Sequence, residues 1–226
     1  MRDQARIVKE SPYRMAKAAS ATPLREERRE AIMAVAREVF FEHGYSGTSM
    51  SAIAARLGGS KGTLYNYFKS KEELFEAQVR DLCGAAATFI LASTAEGSPI
   101  ETLTLFGERY LAHLYSEQTI NLFRILVAES RRSPELGRMF YEVGPARGRK
   151  GLESYLQTAK ARGLVEPSDC ALAADQFLSL CKGPAHLQFL LNLIPAPSPQ
   201  EIRLHVERAV GAFMTLYGSK RADRTL

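Results

Sequence analysis

Hydroxyl, amide and cationic side chains are concentrated in one stretch of the chain, residues 45–71, which reads YSGTSMSAIAARLGGSKGTLYNYFKSK. The stretch contains no Asp or Glu, and its charged residues are Arg56, Lys61, Lys69 and Lys71. Cationic groups beside hydroxyl groups suit a polyanion such as the phosphate backbone of a nucleic acid. We therefore expect this stretch to present a positive surface that binds phosphate.

Two short helices are needed to position these side chains. Thr48 and Ser49 can accept hydrogen bonds from the N–H groups of a first helical turn, and the apolar spacing that follows predicts about two and a half turns of helix. The glycines at 58–59 end this helix, because glycine adopts the left-handed conformation of a helix stop without steric cost. A second, shorter helix is predicted from Ser60 to about residue 67, so the stretch reads as a helix-turn-helix unit.

The first turn of the second helix is the part that would enter a major groove of double-stranded DNA. We predict that Lys61 and Thr63 contact base edges there, while Gly62 lets the backbone approach closely. Hydroxyl, amide and ammonium groups of Thr48, Tyr65, Asn66, Tyr67 and Lys71 are predicted to bind phosphates. With Ser49 and Ser60 they complete the predicted DNA-binding set.

The run TSMSAIAARLGGSKGTLYNYFKSKEELF resembles the DNA-binding signature of the TetR family of transcriptional regulators, almost continuously from Gly44 to Phe75. It departs from the family pattern at Gly59, where an apolar residue such as Val is common, and this departure predicts a looser turn. The resemblance implies an all-α, homodimeric repressor. It also implies an N-terminal three-helix DNA-binding head, followed by a C-terminal helical body for ligand binding and dimerisation.

The head is predicted at residues 25–70. Apolar residues at helical spacing predict its first helix over residues 25–43, and Gly44 ends that helix. Residues 1–24 contain scattered Arg and Lys and are predicted to be a flexible basic arm. Such an arm could follow the DNA backbone or enter a minor groove, or it could be a solvated tail without a role.

The body is predicted at residues 71–217, with a flexible tail at 218–226. A long helix starts at Lys71 and meets no break before Gly97, and the pattern from Pro99 onward is entirely helical, with no run suited to a strand. The stretch VAESRRSPELGRMFYEVGPARG resembles the body of TetR-type regulators of the AcrR or AefR kind, which are associated with multidrug efflux.

The last two helices, predicted at residues 168–193 and 198–217, have unusually wide apolar faces. Two such helices from each subunit can form a four-helix bundle, which predicts a homodimer through these helices and two recognition helices related by a two-fold axis. The alternative is that both faces pack inside one subunit. The apolar residues concerned are Leu172, Phe177, Leu180, Leu187, Leu190, Leu191, Ile202, Val206, Ala209, Val210, Phe213 and Leu216.

Aromatic residues on the body helices could line a cavity for a small lipophilic effector, or they could be ordinary core. The predicted ligand-binding residues are Phe89, Phe106, Tyr110, Phe123, Tyr155 and Phe177. Polar groups that could orient a ligand in such a cavity are Arg109, His113, Arg124 and Gln188.

Composition and spacing argue against several other classes of protein. The chain has 226 residues, 46% of them hydrophobic, and no apolar run approaches a membrane span. Residues 1–80 carry 14 Lys and Arg against 10 Asp and Glu, and the remainder carries 16 against 15, so the net positive charge lies near the predicted head. The three cysteines show no metal-type spacing, and no signal peptide is apparent, which predicts a cytoplasmic protein.

No constellation typical of an enzyme, a cofactor or a metal site is present. His113 and Glu117 lie one helical turn apart, but no third metal ligand accompanies them. The sequence thus predicts a ligand-responsive, DNA-binding repressor that recognises a palindromic operator and is released by a small effector. A ligand-independent DNA-binding protein and a helical enzyme with a vestigial head are the alternatives.

Overall fold

The computed structural model describes the backbone of residues 12–91 and 98–219, and the side chains of residues 24–84 and 98–219. These ranges contain ten α-helices, and their β-type pairing is limited to an isolated bridge between Val165 and Gly218. The predicted all-α class is confirmed. The side chain of Phe89, residues 1–11 of the predicted arm and residues 220–226 of the predicted tail lie outside the described parts.

The chain divides into two compact units, and the first ends at Leu74. Its helices are α1 (Pro12–Gly47), α2 (Met50–Arg56) and α3 (Lys61–Tyr65). Gly44 has a positive φ of 68° and interrupts α1, as predicted for a helix stop. The side chains that these helices bury against one another are apolar: Ile32, Val39, Phe40, Ile53, Leu64 and Phe68.

The first helix begins at Pro12, within the stretch that the sequence suggested would be a flexible arm. The prediction is therefore corrected for residues 12–24, which are helical. Proline suits a helix start because its missing N–H would have no partner there, and the following RMAKAASA is rich in alanine, the best helix former.

The second unit begins at Phe75, within α4 (Lys71–Leu91). The helices after α4 are α5 (Pro99–Leu114), α6 (Glu117–Glu129), α7 (Pro134–Val143), α8 (Pro145–Ala161), α9 (Cys170–Leu190) and α10 (Pro199–Tyr217). Both α5 and α10 start with a capping box in the sequence S-P-x-E, in which the serine and the glutamate cap each other's backbone N–H groups. No helix within the described ranges is long and apolar enough to cross a membrane.

The core of the second unit is built where α5, α9 and α10 meet. Phe177 packs edge to face against Phe106 and Phe213, with ring centroids 6.0 and 5.2 Å apart. Gly107 allows α5 to approach α10 closely, because a Cβ at this position would lie 2.7 Å from Cγ1 of Val206. Helix α5 is thus held tightly against α10.

Helix α9 is kinked at Gly183, which has φ 51° and ψ −167°, and Pro184 follows. A continuous helix was predicted here, and that prediction is wrong because Pro184 has no N–H to bond the carbonyl of Leu180. His205 of α10 fills this gap, since its Nε2 lies 2.8 Å from the carbonyl oxygen of Cys181 and 3.2 Å from that of Leu180. Carbonyl oxygens only accept hydrogen bonds, so Nε2 carries the proton.

The apolar faces of α9 and α10 divide into an inner and an outer set. The inner set is buried within one subunit, so these residues of the predicted apolar faces belong to the core of the monomer. They are Phe177, Ile202, Val206, Ala209, Val210 and Phe213. An outer set remains largely exposed, with Leu187 at 58% and Leu216 at 67% of their maximum surface. We call it the outer leucine face: Leu172, Leu187, Leu191, Leu204 and Leu216.

The predicted tail needs a correction at its start. Gly218 forms the bridge to Val165, and Ser219 is buried, with its hydroxyl donating to Glu166 at 2.6 Å and its N–H donating to the carbonyl of Leu164 at 3.3 Å. These bonds fix residues 218 and 219 against the segment between α8 and α9, a long-range contact that a local sequence pattern does not reveal.

Candidate nucleic-acid interface and candidate effector cavity

The turn between α2 and α3 is closed by backbone hydrogen bonds. Gly58 has a φ of +66°, and its N–H donates to the carbonyl of Ala55 while the N–H of Gly59 donates to that of Ala54, both at 3.2 Å. This is the Schellman pattern that ends helices. The turn is thus well ordered, and the looser turn predicted from Gly59 is not observed.

Ser60 caps the start of α3. Its Oγ accepts from the N–H of Thr63 at 3.1 Å and lies 3.0 Å from the Thr63 hydroxyl. Ser49 performs the same role for α2, accepting from the N–H of Ala52 at 3.1 Å. Both serines therefore order the helix starts, and Thr63 is half-buried beside its cap.

The exposed surface of α3 and of the residue after it is formed by Lys61, Gly62, Tyr65 and Asn66. Tyr65 is 48% exposed although it is aromatic. An ammonium, a phenol and an amide on one short, capped helix offer hydrogen-bond donors to phosphates and to base edges. The structure thus brings together four of the predicted DNA-binding residues on one accessible surface.

Tyr67 and Lys71 of the predicted set are less accessible. Tyr67 is half-buried, with the guanidinium of Arg25 lying 5.9 Å from its ring centroid. Lys71 donates through Nζ to the carbonyl of Tyr45 at 2.9 Å and lies 4.3 Å from the centre of the Tyr45 ring. Lys71 therefore fastens the start of α4 to the end of α1, in addition to its predicted contact with phosphate.

Thr48 requires a correction. It is only 3% exposed, and its hydroxyl lies 2.7 Å from the carbonyl of Gly44 and 3.2 Å from that of Val39. The hydroxyl donates to backbone carbonyls beside the interruption of α1 at Gly44. Thr48 is thus a structural residue, and the predicted phosphate contact is wrong.

The charge of the recognition stretch is also less uniform than its sequence suggests. Arg56 forms two hydrogen bonds with the carboxylate of Glu42, at 2.8 and 2.5 Å, and lies 3.7 Å from Glu38. These acidic residues come from α1, outside the stretch. The hydrogen bond from Arg56 and its positive charge lower the pKa of Glu42. The net positive charge therefore lies around α3 and Lys69 rather than around Arg56.

Residues that were not in the predicted set also contribute to this surface. Arg25 and Lys69 are exposed, and Lys69 follows α3 directly. Lys69 belongs to the positive stretch predicted from the sequence, whereas Arg25 lies outside it, and the place of Arg25 beside Tyr67 depends on how α1 packs against the two short helices.

The second unit contains a cavity of about 220 Å³. Its apolar lining comes from α4, α5, α7 and α9 and includes Leu82, Cys83, Phe106, Leu114, Phe140 and Leu178. Its polar lining includes Tyr110, His113, Thr119, Arg149, Asp175 and Lys182. An apolar pocket with a few polar groups is typical of sites for small molecules.

Only part of the predicted ligand set lines this cavity. Phe106 and Tyr110 do, whereas Phe123 packs against Phe140, with ring centroids 5.8 Å apart. Phe177 is fully buried in the core, and Tyr155 packs at the edge of that core. The predictions for these three aromatic residues are therefore corrected to packing roles, because helical spacing alone does not distinguish a cavity wall from a core.

The inner polar groups of the cavity are uncharged at neutral pH. Burial lowers the pKa of His113, whose ring nitrogens lie 3.5 Å from the hydroxyl of Thr119. Burial raises the pKa of the Tyr110 phenol, and it raises the pKa of the Cys83 thiol to about 11. These groups therefore offer neutral hydrogen bonds to a ligand, and Cys83 behaves as an unreactive thiol.

Among the candidate polar anchors, His113 lines the cavity and Arg124 does not. Arg124 of α6 donates to the carbonyls of Phe189 and Leu190 and to the side chain of Asn192, at 2.9, 3.0 and 2.5 Å. It thereby satisfies carbonyl groups at the end of α9. The described residues contain no group of three His, Cys, Asp or Glu side chains that could hold a metal ion.

Comparison with known proteins places both units in one family. Residues 32–78 match the model of bacterial regulatory proteins of the tetR family, and residues 101–219 match that of the C-terminal domain of AefR-like transcriptional repressors. The second match alone covers more than half of the chain. Both resemblances found in the sequence are confirmed.

Individual relatives agree with these matches. The HTH-type transcriptional repressor KstR2 of Mycolicibacterium smegmatis is 30% identical over 146 residues, which cover 62% of this chain and 68% of that protein. The HTH-type regulator BetI of Rhizobium meliloti is 30% identical over 114 residues, so the match spans 50% of this chain and only 56% of BetI. The solved structure of the flavonoid-responsive regulator FrrA superposes with a TM-score of 0.73 at 32% identity, covering 86% of this chain and 99% of FrrA.

These family models and relatives describe regulators of transcription, and none describes an enzyme. The helix-turn-helix geometry of α2 and α3 and the all-helical body agree with that description. The chain belongs to the TetR family of transcriptional regulators.

Proposed function

We propose that this chain is a ligand-responsive repressor that binds a palindromic double-stranded DNA operator as a homodimer. The observation that carries the proposal is the exposed surface of α3, where Lys61, Tyr65 and Asn66 stand on a helix whose start and preceding turn are both closed by hydrogen bonds. A rigid, positive helix start is suited to a major groove. Such a regulator would work in the cytoplasm, where bacterial operators are.

Dimerisation is proposed through the outer leucine face of α9 and α10. Large apolar residues exposed together on adjacent helices mark an association surface. Isologous packing of the two helices with those of a second copy would bury this face and would relate two α3 helices by a two-fold axis. A dimer of this kind reads two half-sites about one turn of DNA apart, which accounts for a palindromic operator.

The cavity of the second unit is the proposed effector site. Its wall of Phe106, Leu114, Phe140 and Leu178 suits a small lipophilic molecule, and His113 and Tyr110 can orient polar substituents on it. FrrA, a structural relative, responds to flavonoids, so planar phenolic compounds are the first class to test. The effector would act by binding better to dimers whose α3 helices are wrongly spaced for the operator.

Selection of bound fragments from a random DNA pool with the purified full chain tests the DNA half of this proposal. We expect the recovered sites to share an inverted repeat and to bind with a strong salt dependence. If no sequence is enriched among the bound fragments relative to the starting pool at physiological salt, the proposal is contradicted.

Titration of the selected operator complex with a flavonoid panel tests the effector half. A true effector should raise the melting temperature of the free protein and lower its affinity for the operator together, because the two equilibria are linked. A ligand-independent DNA-binding protein would bind its operator with the same affinity in the presence of every compound of the panel. Phe140→Ala is the matched variant, since it enlarges the cavity without altering the head.

A further inference from the structure

The solvent-exposed end of the cavity lies in the most basic part of the body. Residues 130–150 contain six Arg and Lys against two Asp and Glu, whereas the rest of residues 81–226 contains 10 against 13. This segment includes α7 and the start of α8, and it contributes Tyr141, Gly144 and Arg149 to the lining. An uneven charge of this kind raises the local concentration of anions near the cavity.

Arg149 is the basic group best placed to meet a ligand. It lines the cavity, and its side chain is 29% exposed, so it lies between the apolar interior and solvent. Its Nη1 lies 3.6 Å from Glu153 and 3.8 Å from Asp175, distances too long for good hydrogen bonds. A guanidinium has five N–H donors, so Arg149 retains the capacity to bind a carboxylate.

Lys182 provides a second positive charge on the opposite helix, α9. Burial lowers the pKa of His186, and the positive charge of Lys182 lowers it further, so this charge acts on groups inside the body. Helix α8 also begins at the cavity wall, at Pro145, with no side-chain cap and no acidic residue in its first turn. The positive end of its dipole lies next to the negative end of α7, since Gly144 caps both helices, so the positive charge at this end of the cavity comes mainly from Arg149 and Lys182.

Acidic groups oppose this arrangement only at the exposed end. Asp175 also lines the cavity and Glu153 lies beside Arg149, but both already face the guanidinium. Deeper in the cavity the polar groups are His113, Thr119 and Tyr110, none of which carries a charge at neutral pH. A ligand would therefore meet neutral donors inside, and at the exposed end the two cationic donors Arg149 and Lys182 with the Asp175 carboxylate beside Arg149.

We propose that the effector of this regulator is an aromatic acid, whose apolar ring lies against Phe106 and Phe140 and whose anionic group is bound by Arg149 and Lys182. This inference rests on the proposed effector site and adds the charge of the molecule that fills it. It distinguishes aromatic carboxylates and similar anions from the neutral and cationic lipophiles that an apolar pocket alone would accept.

Three probes of nearly equal shape test the inference by isothermal titration of the full chain at pH 7.5. They are 2-naphthoate, which is anionic, 2-naphthamide, which is neutral, and 2-naphthylmethylammonium, which is cationic. We expect 2-naphthoate to bind on the order of tenfold more tightly than the amide, because a charge-assisted hydrogen bond exceeds a neutral one by about that factor. The cation should bind most weakly.

Arg149→Gln and Lys182→Gln should each remove most of this preference, because each weakens the acid much more than the amide. Arg147→Gln is the matched control, because Arg147 is an exposed neighbour that does not line the cavity. Phe140→Ala should weaken all three probes alike, which verifies that they occupy this cavity.

Equal affinities for the acid and the amide, or tighter binding of the cation, would overturn the inference while leaving the effector site intact. An acid preference that persists in both Arg149→Gln and Lys182→Gln would overturn it as well. If none of the three probes binds at millimolar concentration, the effector site itself is wrong and this inference fails with it.

Discussion

Two consecutive glycines, Gly58 and Gly59, have different roles in the turn before α3. Gly58 needs its positive φ, whereas Gly59 does not, and a Cβ on Gly59 would meet the side chain of Arg28 at 3.5 Å, an ordinary contact. Sequence alone suggested that Gly59 loosens the turn. The turn is ordered because its geometry depends on the backbone of Gly58 and on two N–H groups, which both glycines provide.

We predict that Gly58→Ala destabilises the protein by about 1 kcal/mol and that Gly59→Ala stabilises it by about 0.5 kcal/mol. A methyl group is strained at positive φ, while at an unstrained position it restricts the unfolded chain. Urea unfolding monitored by circular dichroism measures both changes. Equal effects of the two substitutions would show that the turn does not have this geometry.

Lys61 and Lys71 form a second informative pair, because both are basic but, among the side chains described, only Lys71 has a partner in the head. Lys61→Ala should leave stability within about 0.5 kcal/mol of the wild type and reduce the preference for the operator over random DNA at each salt concentration. Lys71→Ala should lower the melting temperature, since it removes the bond to Tyr45. Thermal unfolding and fluorescence anisotropy at several salt concentrations measure these effects, and an unchanged melting temperature for Lys71→Ala would contradict the second.

His113 should make stability depend on pH. Burial lowers its pKa in the folded state below the ordinary value of 6.5, so the unfolded chain binds the proton more readily. Its contribution is fully present above about pH 6.5 and is lost as the pH falls toward the folded-state pKa. We predict that His113→Asn reduces the loss of unfolding free energy between pH 7.5 and 5.5, as measured by urea unfolding. Identical losses in the two proteins would exclude this role.

At the scale of elements, most helix starts and stops could be predicted, whereas the start of α1 at Pro12 and the kink inside α9 were missed. Serine caps, S-P-x-E starts and the glycine at 44 act within a few residues, so local patterns reveal them. The pair Gly183 and Pro184 also gave a local signal, but the apolar residues on both sides favoured a single helix. What stabilises the kink is His205 from another helix, and sequence periodicity contains no information about that contact.

Substitution of His205 should therefore weaken the packing of α9 on α10. We predict that His205→Ala lowers the unfolding free energy by about 1 to 3 kcal/mol, because it leaves the carbonyls of Leu180 and Cys181 without their donor. Arg203→Ala is the control, since Arg203 is exposed and its ion pairs contribute little. Equal effects of the two changes in urea unfolding would contradict this role for His205.

An apolar cavity in the body could be predicted from the sequence, but only some of the residues that line it could be identified. Phe106 and Tyr110 were identified because aromatic residues recur on α5, yet Phe177 has the same spacing and lies in the core. Phe140 and Arg149 were not identified, because their place on the wall depends on how α7 and α8 are arranged around Gly144. Local pattern establishes which face of a helix is buried, but the packing of helices determines whether that face borders a cavity.

For the whole molecule, the all-α class and the order of head and body could be predicted, whereas the division of the apolar faces could not. The width of the apolar faces on α9 and α10 suggested a dimer, but many of those residues fill the core of one subunit. The outer leucine face is what remains for a partner. Its identification requires knowing which side chains the rest of the chain covers.

We predict that Leu187→Glu together with Leu216→Glu converts the protein to a monomer and lowers operator affinity at least tenfold. A charge on each of two exposed apolar positions would have to be buried in the dimer, which is unfavourable. Size-exclusion chromatography with light scattering measures the mass, and circular dichroism tests the fold. Ile100→Glu on α5 is the control, because Ile100 is comparably exposed but does not belong to this face. A dimer that survives the double substitution would place the interface elsewhere.

The close approach of α5 to α10 at Gly107 has a consequence for how such a regulator diversifies. One wall of the cavity, carrying Phe106 and Tyr110, is fixed to a helix of the proposed subunit contact, where even one added methyl group would collide with Val206. The facing wall on α7 and α8 has no such restriction at Gly148, where an added Cβ would meet open space. Under the proposed function, new chemical sensitivities can therefore evolve by changes in α8 around Gly148, while the proposed dimer contact on α9 and α10 is kept.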